Sequence, residues 1–275
     1  VLPGAGYLTR PVHTRSAHAS ALSVSPAGAR LSMLAAQTRG VTTSMNWFAL
    51  FSSALPLIAL YLYGLAASVL DAWRPSLSEL MNARRIEWVY QASRRDTPLD
   101  GILSGNIMSS VSFFASTTAL LILALFTVIG QLPQFAPAIS TITFGTHYSE
   151  TDLQLHNILM LVLFVSAFLA FTLALRQFNH FCILLGALDH RDPATPEHVE
   201  AIARINAIAA GRFNAGIRAY YFAIPMVAWF VSSWAAIAVT AATIFMLLHR
   251  EYFSRARKVV ADMPAQAPHK QGRSE

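Results

Sequence analysis

Two short runs in this chain carry the residue types that grip an anion. The first is Arg176-Gln177-Phe178-Asn179-His180-Phe181-Cys182; the second is Arg212-Phe213-Asn214 followed by Arg218-Ala219-Tyr220-Tyr221-Phe222. A guanidinium offers a planar fork of N–H donors that matches a phosphate or a carboxylate. Asn and Gln add amide donors, and Tyr adds a hydroxyl. Arg176, Gln177, Asn179, Arg212, Asn214, Arg218, Tyr220 and Tyr221 are therefore the candidate cluster for an anionic headgroup or a partner protein. The plainer reading has Arg snorkelling, Tyr anchoring at an interface and Asn capping helix ends.

A second group is hydroxylic. Asn106, Ser109, Ser110, Ser112, Ser116, Thr117 and Thr118 stand close together. Ser112-x-x-x-Ser116 and Ala115-x-x-x-Ala119 repeat small residues at helical spacing, which lets helix backbones approach closely. Asn106, Ser109, Ser112, Ser116 and Thr117 are the candidate helix-packing face, or the wall of a pore.

Other chemistry finds little support. His156, His180 and His249 fall near the ends of apolar blocks and read as interfacial residues. His156 and His180 belong to opposite ends, so they cannot share one haem. His147 and His156 could meet at one face, but no further ligand accompanies them. The single cysteine, Cys182, forbids an intramolecular disulfide and a multi-cysteine zinc site, and reads as a packing residue. No G-x-S-x-G, H-E-x-x-H or phosphate-loop pattern occurs. The expectation is a protein that is not an enzyme, with no cofactor and no metal.

The elements that must position these residues follow from composition. Of 275 residues, 55 % are hydrophobic and only 12 % charged, about half the charged share of a soluble domain. The apolar residues form four blocks, Trp47–Leu70, Ile107–Leu132, Leu155–Leu175 and Ala219–Leu248, none with an Asp, Glu, Lys or Arg. A hydrocarbon core of about 30 Å needs roughly 20 helical residues, and each block supplies them. Helix is the state that satisfies its own backbone in lipid. The expected fold is all-α and integral to a membrane: four transmembrane helices in a bundle, plus two amphipathic helices on the cytoplasmic side.

The 20 Lys and Arg, which give a net charge of +6, gather beside these blocks, and none lies between Arg95 and Arg176. That is membrane topology, not a nucleic-acid-binding face. Connections 71–106 and 176–218 carry ten Arg and should face the cytoplasm; connection 133–154, with Glu150 and Asp152 but no base, should lie outside. Four crossings leave the basic tail outside, against the charge rule. A break of the last block near Ser232–Ser233 is the alternative, and it returns the tail to the cytoplasm. No Asp, Glu, Lys or Arg lies within the blocks, which disfavours a proton-coupled carrier.

Residues 1–44 are Arg- and Ser-rich without an acid, the composition of a transit peptide. Three expectations follow for the domains: a disordered extension over 1–44 with Met45 as natural start, a transmembrane domain over 45–258, and a flexible basic tail over 259–275. The 1–44 segment reads as upstream sequence or a targeting peptide. Ser76 and Glu79 after Pro75 fit a capping box opening a helix with Leu77, Leu80, Met81 and Trp88 on one side. That helix either lies in the interface, with Trp88 at headgroup level, or docks on the bundle. Thr195-Pro196-Glu197 opens another. It presents Val199, Ile202, Asn206, Ala209, Phe213 and Ile217 on one face and runs through Arg218, with Gly211 and Gly216 as expected bends.

Several segments together resemble a known family. They are Arg74-Pro75 through Arg84–Trp88, Phe113-Phe114-Ala115-Ser116-Thr117, Arg176-Gln177-Phe178-Asn179, Arg212-Phe213-Asn214, Arg218-Ala219-Tyr220-Tyr221-Phe222 and Arg250-Glu251-Phe253. In order and spacing, over about residues 45–258, the chain resembles the domain-of-unknown-function family numbered 599, small multipass membrane proteins of bacteria and plants. Asp100 and Asn106 stand where members carry Asp and Asn. His180 stands where a Tyr is common, and the Pro common near Ser233 is missing, which the resemblance counts against a break there. The resemblance implies a multipass membrane fold and no known reaction. The expected partners are membrane lipids, with a homo-oligomer or a membrane partner protein besides, in the inner (plasma) membrane of a bacterium. An organelle inner membrane is the alternative if residues 1–44 are a transit peptide. The leading functional expectation is headgroup or partner binding by the Arg/Asn/Tyr cluster; the alternative is a small oligomeric channel or transporter lined by the Ser/Thr face.

Overall fold

The computed structural model describes residues 46–95, 97–143, 148–189, 191 and 194–264. The expectations for residues 1–44, for His147 and for the tail beyond Pro264 lie outside the described residues. Among the described residues there are eight α-helices and one π turn, and no strand: α1 (Trp47–Trp73), α2 (Leu77–Ala92), α3 (Leu99–Gly130), α4 (Leu132–Ile142), α5 (Glu150–Gly186), α6 (Pro196–Trp229), α7 (Ser233–Leu248), the π turn His249–Phe253 and α8 (Arg255–Asp262). Four stretches are long and apolar enough to cross a membrane: α1, α3, α5 and the run Ser233–Asp262. This is the all-α membrane architecture expected from the apolar blocks.

Helix starts are set by short polar side chains. Asn46 Oδ1 accepts from Phe48 N at 3.1 Å, Ser149 and Asp152 form a reciprocal capping box, and Thr195 Oγ1 accepts from His198 N. Each satisfies amides that the first turn leaves without a carbonyl. Ser76 caps α2 by accepting from Glu79 N, but Glu79 does not reciprocate; its carboxylate accepts from Asn82 Nδ2 instead.

The core centres on the pairing of α5 with α6, the most extensive in the fold. Phe171, Leu163, Ala174, Ala209, Phe222 and Met226 are fully buried there. Gly216 sits on the Phe171 ring: a Cβ there would approach Cε1 to 2.5 Å. Helix α6 is continuous through both Gly211 and Gly216. Gly216 serves close packing, and Gly211 has open space around its Cα.

The block Ala219–Leu248 is not one crossing. The chain turns at Phe230–Ser232, where Phe230 N and Val231 N close i−3 bonds to Val227 O and Ala228 O. Ser232 is extended (φ −167°, ψ 155°), and its hydroxyl accepts from Ala235 N to start α7. A serine N-cap thus makes the break without the proline that the resemblance finds common near Ser233. Helix α6 runs to the far end of the bundle and α7 returns, so the four-crossing placement of the tail is corrected. Arg257 Nε donates to Pro75 O, Arg84 Nη2 to Met263 O, and Tyr252 OH to Asp71 Oδ1, all at the end where the two Arg-rich connections lie.

Helix α2 docks on the bundle at that basic end. Val89 packs with Phe181, Val199, Ile202 and Ala203. The Trp88 ring is tilted against Phe181 at 5.4 Å, and its Nε1 donates to Asp100 at 2.7 Å, so it is tied into the protein.

Candidate functional site

The eight residues of the Arg/Asn/Tyr cluster do not converge on one place. Arg176 and Asn179 are exposed on α5 and Gln177 is half-buried beside them; none of the three lines the groove that holds Arg212 and Arg218. Tyr220 belongs to the core, its ring against Phe114, Phe164 and Phe171 and its hydroxyl 2.8 Å from Thr118 Oγ1. Tyr221 accepts from Arg250 Nη1 at 2.7 Å. Asn214 Nδ2 donates to Ser78 Oγ at 3.3 Å.

Arg212 and Arg218 do come together. Both line a groove of about 330 Å³ whose other walls are Leu60 and Gly64 of α1 and Leu169 and Leu173 of α5. Helical spacing explains this: residues 212, 215, 218 and 219 share one flank of α6, facing the space between α1 and α5. The Arg218 guanidinium lies 5.9 Å from the Tyr63 ring centroid. Among the described residues no carboxylate is within ion-pair distance of either arginine, the ion pairs there being Arg84–Glu87 and Arg95–Asp100. Arg212 is exposed and Arg218 half-buried, and two neighbouring guanidiniums beside an apolar wall attract an anion that can take their forked donors.

Nearby, at the basic end, a polar cavity of about 250 Å³ lies between α2, α6 and the π turn. Arg85 reaches across to the Asn206 amide oxygen, and its Nε is buried without a hydrogen-bond partner. Burial pushes the Arg85 guanidinium below its usual value. A third cavity, of about 170 Å³, is lined by Arg95, Asp100, Ser104 and Cys182. Its charges are paired: Asp100 accepts from Arg95 Nη2 at 2.9 Å and from Trp88 Nε1, while Arg95 Nε is buried without a hydrogen-bond partner. Cys182 Sγ lies 3.6 Å from Met108 Sδ, a packing contact.

The hydroxyl face of α3 points outward. Asn106, Ser109, Ser112 and Ser116 are exposed and Thr117 is half-buried, whereas Ala115 and Thr118 pack inside. The Ser112/Ser116 pair therefore does not join α3 to its own bundle.

A group with the look of a nucleophile and its base is also present. His156 is fully buried, not interfacial, and its Nδ1 is 2.6 Å from Ser53 Oγ. Its Nε2 is 3.0 Å from Met226 O, and a carbonyl only accepts, so Nε2 carries the proton and Ser53 donates to Nδ1. Met226 O is free to accept because the turn after α6 withdraws the amide of Phe230. Trp229 lies between Tyr148 at 3.9 Å and His156 at 4.1 Å, and its Nε1 donates to Ala49 O and Ser52 Oγ. No cavity described above reaches this group. It is a clasp holding the hairpin tip to α1 and α5.

With this architecture in view, the family model described as "Protein of unknown function, DUF599" matches residues 51–256. The chain belongs to this family. The matched stretch runs from the first turns of α1 into α8, so the α6–α7 hairpin and the docked α2 lie within the family's extent. No curated protein and no solved structure matches the chain. Members share a description that assigns no activity. That description together with the four long apolar helices bears out a membrane protein of unknown function, and the site must be read from its own chemistry.

Proposed function

We propose that this family member is a non-enzymatic membrane protein whose Arg212/Arg218 groove holds the phosphate of an anionic lipid. The observation that carries the reading is the pair of guanidiniums, without a carboxylate partner among the described residues, opening onto an apolar groove. Arginine binds phosphate through parallel N–H donors, while Leu60, Leu169 and Leu173 offer apolar surface to an acyl chain. A lipid headgroup is the anion nearest to such a site. By the positive-inside rule the basic end faces the cytoplasm, in the plasma membrane of a bacterium.

The test is native mass spectrometry of the full chain in mild detergent with added phosphatidylglycerol or phosphatidylcholine. Wild type is expected to retain phosphatidylglycerol preferentially, and Arg212→Ala with Arg218→Ala to lose that preference. Equal retention by the variant overturns the reading. Arg212→Ala alone, at an exposed residue, reports on the groove should the double variant fold poorly.

A second reading, a small channel formed by an oligomer, draws support from the outward face of α3. Polar groups such as Asn106 and Ser112 are costly against lipid and are relieved against a neighbouring copy. Flux that survives replacement of Ser109, Ser112 and Ser116 by Val rules it out.

A further inference from the structure

The cavity between α2, α6 and the π turn differs in kind from the lipid-facing groove. Its wall holds charges of both signs: Arg85 from α2, and Arg250 and Glu251 from the π turn. None of the three is within ion-pair distance of an opposite charge among the described residues. Charges that share a wall without touching are held apart by their scaffold, and here that scaffold is explicit. Arg85 is drawn toward α6 by the Asn206 amide, which is fully buried. Arg250 is drawn away to the Tyr221 hydroxyl. Glu251 is held from α2 by Ser78, whose hydroxyl donates to Oε2 at 3.3 Å while accepting from Asn214 Nδ2 at 3.3 Å.

Each fixed group keeps unused capacity. Arg85 Nε has no partner, and a guanidinium has five N–H donors of which the Asn206 bond uses one. Glu251 has about four lone-pair positions, and Ser78 supplies one hydroxyl proton. Arg85 is largely withdrawn from water and Glu251 is half-buried, and among the described residues neither has an ionic partner. A volume of about 250 Å³ is below the range of drug-sized ligand pockets, roughly 300–1,000 Å³. It suits a small molecule.

We propose that this cavity binds a compact zwitterion, its anionic group on the Arg85 guanidinium and its ammonium on the Glu251 carboxylate. A molecule with one charge satisfies one wall and leaves the other unpaired. A molecule with both satisfies both, and a planar fork prefers a carboxylate or phosphate at the anionic end. Two sources carry this chemistry, a free amino acid and the phosphoethanolamine headgroup of a lipid. Ser78 and Asn214 are positioning residues, since they orient Glu251.

Calorimetric titration of the full chain in mild detergent tests this. The zwitterionic probes are glycine and sn-glycero-3-phosphoethanolamine; acetate, the diester dimethyl phosphate and ethanolamine carry one end each. At least one zwitterion is expected to bind about tenfold to a hundredfold tighter than its single-charge counterparts, as a charged hydrogen-bonded contact contributes. Glycine as the binder assigns a free amino acid, and the phosphoethanolamine diester assigns a lipid headgroup. Glu251→Gln is expected to reduce zwitterion binding and erase the preference over the matching anion, a change of selectivity that misfolding does not produce. Arg85→Lys keeps the charge without the fork and is expected to weaken the anionic end alone. The Arg212→Ala/Arg218→Ala groove variant is expected to bind zwitterion like wild type. Absence of binding by both zwitterions, or an unchanged zwitterion-to-anion ratio in Glu251→Gln, overturns the proposal.

Discussion

The Trp229 indole lies flat on the His156 imidazole, ring centroids 4.1 Å apart and planes 12° from parallel, at the point where α6 ends. The same imidazole accepts a hydrogen bond from the Ser53 hydroxyl at Nδ1 and donates one from Nε2 to the Met226 carbonyl. One ring therefore joins α1, α5 and the hairpin tip. Removing it leaves a hydroxyl and a carbonyl buried without partners, each costing about 1–3 kcal/mol. His156→Ala is expected to lower the thermal midpoint in detergent more than Ser53→Ala, which removes only one of the two bonds. Trp229→Ala is expected to cost about 3–5 kcal/mol as a large buried aromatic. Midpoints within a degree of wild type for either His156→Ala or Trp229→Ala contradict the clasp.

The hairpin sets the side of the tail. In a Cys182→Ser background, single cysteines at Gln134, Arg191 and Ala261, all exposed, report sidedness to an impermeant maleimide. Arg191 and Ala261 should label from one side of the membrane and Gln134 from the other. Ala261 labelling together with Gln134 restores a single unbroken last span.

The two glycines of α6 should respond with opposite sign. Gly216→Ala drives a methyl into Phe171 and is expected to cost about 1–3 kcal/mol, as overpacking does. Gly211→Ala meets nothing within 4 Å and is expected to add about 0.5–1 kcal/mol through helix propensity. Unfolding midpoints of the two purified variants decide it, and equal shifts refute the packing role of Gly216.

The faces of α3 should separate as well. Thr118→Val removes the bond to Tyr220 and is expected to cost about 1 kcal/mol. Ser112→Val, on the exposed face, is expected to leave monomer stability within about 0.5 kcal/mol of wild type. A larger loss for Ser112→Val than for Thr118→Val reverses the assignment of faces.

The sequence by itself determined the class of the fold. Lengths of uncharged apolar chain set how many stretches can cross a membrane, and short polar residues such as Ser76 and Thr195 set where helices start, because both effects are local. The family was legible for the same reason: Arg218-Ala219-Tyr220-Tyr221 and its companions keep their order along the chain. Apolar composition carries no direction, however. The break near Ser232 was legible as an alternative, but the burial of Trp229 beside it needs Ala49 of α1 and His156 of α5, which come together only after folding. Burial of His156 depends likewise on Ser53, 103 residues away. The candidate cluster was legible as residue types and not as a site. Arg212 and Arg218 meet because they share a flank of α6, while Arg176 stays apart on α5 and Tyr220 turns into the core. Arg85, Arg250 and Glu251 belong to segments that no spacing rule connects, and only the docking of α2 against α6 and the π turn brings their charges around one cavity.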